Sequence, residues 1–311
     1  MPGAFAHITL VNLMKETRRL SALGFSNPAS AALLDYFGYC ELGAVSPDYP
    51  YLSIGEGSSA SWADHMHYDK TGDVVQAIAE GVRGLAGEPR RRAAAWLLGY
   101  AAHVATDVTI HPVIELKVGP YAQNKTAHRV CEMHQDAYIF AKHLNLGEVG
   151  LSEHLASGIL RCVEPGQRDV VNGAVKAVWE AALRKIHPEE ADRNPPRVDH
   201  WHQRFGLMVD KIGEEGNKLM PIARHVAVDC GLTYPALADV DHAEYITALR
   251  VPGDRALPYD AIFENALENV GQAWIALHRA VFDGDRTTTA YFGRWNLDTG
   301  RDQNGKLVYW A

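Results

Sequence analysis

The segment HVATDVTIHP sets two histidines around an aspartate, with His103, Asp107 and His111 four residues apart. On a helix four residues advance about 400°, so the three drift only about 80° around the axis and line one face over roughly 12 Å. Neutral imidazole and carboxylate are donors that zinc takes. A carboxylate one turn from each histidine can share or bridge ions. The preceding run from Ala93 to Ala102 is almost wholly apolar, so this helix is expected in the interior, where unpaired charge is costly. The competing reading is an Asp–His hydrogen-bonded pair inside a helix packing. A second row follows in HRVCEMHQD: His128 and Glu132 are again four apart, and Asp136 continues the row. His134 lies about 240° around from His128, off that face. Taken alone, the His128–Glu132 pair is also a surface salt-bridge spacing. Two such rows on consecutive helices are more specific, because antiparallel neighbours can present both to one cavity.

Shorter pieces add further donors. GAVSPDYPY holds Asp48 between two prolines, a stiff segment with few conformations to lose. A rigid carboxylate there suits a ligand or general base, and an Asx-type turn is the plain alternative. WADHMHY offers His65 and His67, which reach one site together only on irregular backbone. His7 sits among apolar residues of the first helix, where a lone histidine is more often a satisfied core residue than a ligand. Other templates fail. HExxH and the Walker phosphate loop are missing, GxSxG is missing, and so is the ExxH of di-iron bundles. No His-Asp dipeptide occurs, which removes the HD phosphohydrolase signature.

The elements that must position these residues read as helical nearly throughout. Phe5 to Leu23 carries apolar residues at three- and four-residue steps and stops at Gly24. Asn27-Pro28 opens a second helix, to about Glu41. Residues 43–62, rich in Gly, Pro and Ser, read as loop. Helices are expected over 73–85, from Pro89 to a stop at Pro112, and over 126–146. In the second half they are expected over 151–163, 169–186, 199–213, 216–230, 239–249 and 259–282. His187 to Arg197 reads as an exposed connection, and Thr287 to Ala311 as a hairpin or coil on the bundle. The expectation is an all-α, multi-helix bundle forming a single domain over 1–311, with the metal-site residues concentrated in 1–140.

Composition narrows the function. The 311 residues are 47% hydrophobic and 22% charged, and 30 Lys+Arg stand against 38 Asp+Glu for a formal charge of -8. That balance argues against gripping phosphate backbones, so nucleic acid is not the expected partner, and against anionic lipid surfaces. Arg90-Arg91-Arg92 is a short helix start rather than a basic patch. Cys40, Cys131, Cys162 and Cys230 are scattered, without a CxxC pair. No signal peptide and no transmembrane run is read. The expected location is the cytoplasm.

Taken in order, His7, Asp48 in GAVSPDYPY, His67 in WADHMHY, His103 with Asp107 and His111, and His128 with Glu132 resemble the zinc-dependent phospholipase C family, distantly related to the fungal single-strand nucleases. The match covers roughly residues 1–140. The closing WNLDTGRDQNGKLVYW (Trp295 to Trp310) also resembles the end of cytoplasmic-type members. The resemblance implies an all-α bundle in which a cluster of zinc ions, two or three here, cleaves phosphate esters. By it, Asp48, His67, His103 and Asp107 hold one zinc, and His111, His128 and Glu132 a second. Asp107 bridges to a third, which His7 also binds, and Asp48 is the usual general base. The segments Asp48 to Ala60 and Asp64 to Asp69 would border the substrate.

The chain departs from the secreted members at three points. It begins Met1-Pro2-Gly3 rather than exposing a tryptophan, and removal of Met1 would leave a Pro2 amine five residues before His7. Its step from Asp107 to His111 is shorter. No all-β lipid-binding domain follows the bundle. The implied activity is a metal-dependent phosphoric ester hydrolase acting on a small-molecule or lipid phosphoester. His/Asp/Glu sites also accept iron, manganese or nickel. Two other functions remain open at this point: a cytoplasmic metalloenzyme, hydrolase or lyase, acting on a non-phosphate metabolite, and a non-catalytic helical scaffold.

Overall fold

The apolar run that begins at Ala93 becomes the axis of the fold. The computed structural model describes residues 3–53, 57–144, 158–215 and 234–310. The axial helix spans Gly87–Val118, and every residue from Ala93 to Ile114 is buried, as expected of a helix that is apolar on all sides. Before it come α1 (Ala4–Met14), α2 (Thr17–Ala22), α3 (Asn27–Asp35), α4 (Phe37–Val45), α5 (Gly57–Tyr68) and α6 (Thr71–Arg83), which makes the axial helix α7. After it come α8 (Lys125–Leu144), α9 (Gly173–Ile186), α10 (Pro188–Arg193), α11 (Val198–Glu215), α12 (His242–Tyr245) and α13 (Tyr259–His278). The fold is all-α. The strands among the described residues are two antiparallel pairs, Val163–Glu164 with Gln167–Val171 and Leu249–Val251 with Arg255–Leu257.

α4 packs most closely on α7. A Cβ on Gly43 would lie 2.0 Å from the Trp96 carbonyl oxygen, and one on Gly99 would lie 1.9 Å from that of Cys40. The two backbones touch because neither glycine has a side chain. This contact explains why Gly43 does not end its helix as expected. The chain continues to Val45, tightens into a 3-10 turn over Ser46–Leu52, and is helical again from Gly57, so the expected loop over 43–62 is largely helical. Pro47 fits because the first turn of a helix has no use for its missing N–H.

Pro112 does not stop α7. It lies inside the helix, directly after His111, and the C-terminal tail covers the disturbed backbone. Trp310 Nε1 donates to the Thr109 carbonyl at 2.7 Å. Gly300, at φ +63°, lies where a Cβ would meet the Pro112 ring at 2.4 Å and the Val108 carbonyl oxygen at 2.5 Å. The cost of a mid-helix proline is an unpaired carbonyl and a steric clash. Here tertiary packing supplies partners that local sequence rules do not see. The tail itself is coil and turn with isolated bridges at Asn296–Arg301 and Arg301–Leu307.

Other expected boundaries also move. The helix expected over 5–23 divides at Lys15–Glu16, where the Lys15 ammonium sits 3.9 Å from the Phe37 ring centre. Asp136 on α8 caps α1 from outside by accepting from Phe5 N at 3.3 Å and Ala6 N at 2.9 Å, which satisfies donors that a helix start leaves open. The start of the segment 169–186 is strand rather than helix, and Asn172 caps α9. The segment 239–249 is one helical turn followed by the hairpin turning at Pro252-Gly253-Asp254. The connection 187–197 contains α10, and its His187 and Ala191 are buried. The expected helix over 216–230, and residues 151–157 of that expected over 151–163, lie outside the described residues; the rest of the latter is a 3-10 turn at Ile159–Arg161 and the start of a strand at Val163.

Candidate metal centre

Backbone carbonyls orient three of the imidazoles, two of them in α7's row. His103 Nδ1 donates to the Ala44 carbonyl of α4 at 2.8 Å, and His67 Nδ1 on α5 donates to Ala63 at 2.7 Å. His111 Nδ1 donates to the Leu297 carbonyl of the tail at 2.6 Å. A carbonyl can only accept, so in all three rings the proton sits on Nδ1. Nε2 then carries the lone pair, and the bond fixes the ring's orientation, as outer partners do for metal-binding histidines.

The freed atoms converge in two groups. In the first, His103 Nε2 lies 3.2 Å from Asp107 Oδ2, and His67 Nε2 lies 3.8 Å from the same oxygen and 3.4 Å from Asp48 Oδ1. His7 Nε2 approaches the other oxygen, Asp107 Oδ1, at 3.2 Å, and its ring stacks on His103 at 4.2 Å. In the second, His128 Nε2 is 3.1 Å and His111 Nε2 3.9 Å from Glu132 Oε1. His7 with His103 and Asp107, Asp48 with His67 and His103, and His111 with His128 and Glu132 each gather donor atoms closely enough to hold an ion. All eight residues are buried. The α7 row is thus divided, its first two members facing one group and His111 the other.

These contacts are close, yet many of the atoms make no hydrogen bond. Both ring nitrogens of His7, both oxygens of Asp48 and of Asp107, and Nε2 of His111 are buried without a hydrogen-bond partner. Buried polar atoms are rarely left so, and such clustering fits ligands arranged for cations. The electrostatics agree at His7, His111 and His128, while His103 is drawn the other way. Burial pushes the Asp48 carboxyl up to about 6. It pulls His7, His111 and His128 down, keeping them neutral and able to donate a lone pair. Burial also opposes charge on His103 and Asp107. The Asp107 and Asp48 carboxylates outweigh it and raise His103 to about 8, while His103 and His111 hold Asp107 well below the usual carboxylate range.

Several sequence candidates go elsewhere. Asp136 does not join its row at the centre. It caps α1 and accepts from the Tyr234 hydroxyl at 2.9 Å. His134 faces away and stacks on Tyr245. His65 and His67 lie on regular helix rather than irregular backbone, so they point apart. His67 is fully buried and His65 is near the surface. Met1 and Pro2, and with them the terminal amine, lie outside the described residues.

The sequence reading missed Asp298. Its Oδ1 lies 3.7 Å from His111 Nδ1, and its Oδ2 accepts from the Tyr68 hydroxyl at 2.6 Å. Burial, with the Asp107 and Glu132 carboxylates adding to it, raises Asp298 to about 7. With Tyr68, Tyr121 and His128 it lines a cavity of about 290 Å³. No spacing relates a tail aspartate to rows nearly two hundred residues earlier, so nothing in the pattern singled it out.

A family model for zinc-dependent phospholipase C matches residues 2–189, more than half of the chain. No curated protein and no solved structure gives a match. No described helix is long and apolar enough to cross a membrane.

Proposed function

The chain belongs to the zinc-dependent phospholipase C family, and we propose that it hydrolyses a phosphate mono- or diester over a cluster of two or three zinc ions. The observation that carries this is the convergence of buried imidazole nitrogens and carboxylate oxygens that make no hydrogen bonds. In this reading Asp48, His67, His103 and Asp107 hold one ion, and His111, His128 and Glu132 a second. Asp107 and His7 serve a third. The donors are nitrogen and oxygen throughout, a set suited to zinc and also to iron, manganese or nickel.

Zinc bound there supplies a water acidified to near neutrality and neutralises charge on phosphoryl oxygens. The chain's own residues do the rest. Asp48 is the general base, its oxygens open to a proton from the attacking water. The Ala44, Ala63 and Leu297 carbonyls hold three imidazoles in the ligating tautomer. Substrate reaches the centre past Tyr68, Tyr121 and Asp298, through a cavity whose volume suits a small polar group. The overall charge of -8 disfavours a nucleic-acid substrate.

The proposal takes the chain as one domain, supported by a single core cluster running from Ala4 to Trp310. It places the protein in the cytoplasm, where the buried free thiols Cys40, Cys131 and Cys162 stay reduced. The test is metal content by plasma mass spectrometry together with a chromogenic panel of phosphomonoesters, phosphodiesters and non-phosphate esters. Two or three zinc ions per chain, with phosphoester turnover lost in Asp107→Ala, is the expected result. Protein that stays metal-free after reconstitution, or an Asp107→Ala variant that keeps metal and activity, overturns it.

A further inference from the structure

A second set of ligand-type side chains lies outside the central cluster. Asp69 follows His65 by one turn at the end of α5, and its backbone N–H bonds the His65 carbonyl at 3.2 Å. His187 stands at the corner between α9 and α10. The fold brings the three together, with His65 Nδ1 3.8 Å and His187 Nδ1 3.6 Å from Asp69 Oδ2. The two imidazole rings lie 4.3 Å apart.

We propose that His65, Asp69 and His187 form a separate binding site for one divalent ion of the zinc type, which ties the end of α5 to the α9–α10 corner. The spacing is the first argument. Both nitrogen–oxygen distances are too long for hydrogen bonds. Donors at about 2.0–2.1 Å from a tetrahedral zinc stand roughly 3.4 Å apart, so each imidazole nitrogen is within a few tenths of an ångström of that spacing from Asp69 Oδ2. One donor atom from each residue already lies within 4.8 Å of the others. Burial is the second argument. His187 is 5% exposed, and its Nδ1 is the atom turned to Asp69. The neighbouring ammonium of Lys70 is bonded to the Ile186 carbonyl at 3.3 Å.

The site is distinct from the central cluster. Residues two apart on a helix point about 200° apart, so His65 faces the surface while His67 faces the core. Three protein donors leave positions for water on the side where Asp69 is half exposed. An ion there would hold the helix that carries His67, which makes this a structural clip rather than a second reaction centre. Trp62 lies beside both rings, 5.8 Å from His65 and 6.3 Å from His187.

Zinc counting in the full-length protein tests the site. His65→Ala and Asp69→Asn both act near the surface, so the fold should survive them. After zinc loading and desalting, each is expected to hold one equivalent fewer than wild type. The same pair of substitutions in an Asp107→Asn background, where the central cluster is weakened, should again remove one equivalent. That keeps the result separate from the fate of the central cluster. Nickel titration read by tryptophan fluorescence should show a quenching phase that both variants lose. Equal zinc counts in wild type and both variants would overturn the proposal.

Discussion

Asp107→Asn is the most informative substitution, because both oxygens of one carboxylate are engaged. Oδ1 faces His7 at 3.2 Å, while Oδ2 faces His103 at 3.2 Å and His67 at 3.8 Å. Asparagine keeps the shape and removes the charge. A four-ligand zinc site binds with about 10–16 kcal/mol in all, so one ligand is worth about 3 kcal/mol. That corresponds to roughly a hundredfold in affinity. In the bridging role proposed above Asp107 would serve two ions, and the combined loss would be roughly ten-thousandfold, spread over two equivalents. His111→Ala removes a ligand from one ion only and should cost about a hundredfold at that ion. The metal-free protein should also lose stability in Asp107→Asn, because the carboxylate that His103 and His111 hold well below its usual range is gone. Competition against a chromophoric zinc chelator, with melting curves of metal-loaded and metal-free protein, reads all three expectations. An Asp107→Asn protein that keeps every ion with affinities within tenfold of wild type would refute the bridging role. So would a His111→Ala protein that loses as many ions as Asp107→Asn.

Asn296 Oδ1 accepts from the Asp298 and Thr299 amides at 3.0 Å each and so shapes the turn that presents the Leu297 carbonyl to His111. Asn296→Ala should weaken the ion at His111, His128 and Glu132 by about 10–100-fold, measured in the same chelator assay, and leave the other ions in place. His202 is held down to about 4 by burial, against an ordinary value of 6.5. The unfolded chain therefore binds more protons between those values, and stability present above pH 6.5 is lost as pH falls towards 4. The loss is roughly 3 kcal/mol. His202→Asn should flatten that part of a denaturant-midpoint profile. Gly99→Ala forces a methyl against the Cys40 carbonyl and should cost about 3 kcal/mol or more, seen as a large fall in melting temperature or in soluble yield.

The ligand rows were legible because helical periodicity is local. Once Ala93 to Ala102 identified a buried helix, His103, Asp107 and His111 had to share a face, and the row on α8 followed by the same arithmetic. Periodicity could not say which members of a row meet a common partner. Asp136 continues the row of His128 and Glu132, yet it is spent on the start of α1. The rule for proline failed at Pro112, because it describes an isolated strand of backbone, and here Gly300 and Trp310 pack against the exposed carbonyls. The loop expected after Gly43 failed similarly: the glycine that signals a helix end is there a point of backbone contact with α7.

The sequence by itself pointed to the all-α class and the buried character of α7, which follow from side-chain type and the 3.6-residue repeat, and to eight metal-ligand candidates, a set that was complete only with the family resemblance. Only the tertiary structure decided how α7's row divides between two groups and which carbonyl fixes each imidazole. It alone brought Leu297 and Asp298 to His111 and gathered His65, Asp69 and His187. Those contacts join residues far apart in the chain, and their distances are set by how helices cross rather than by any local repeat.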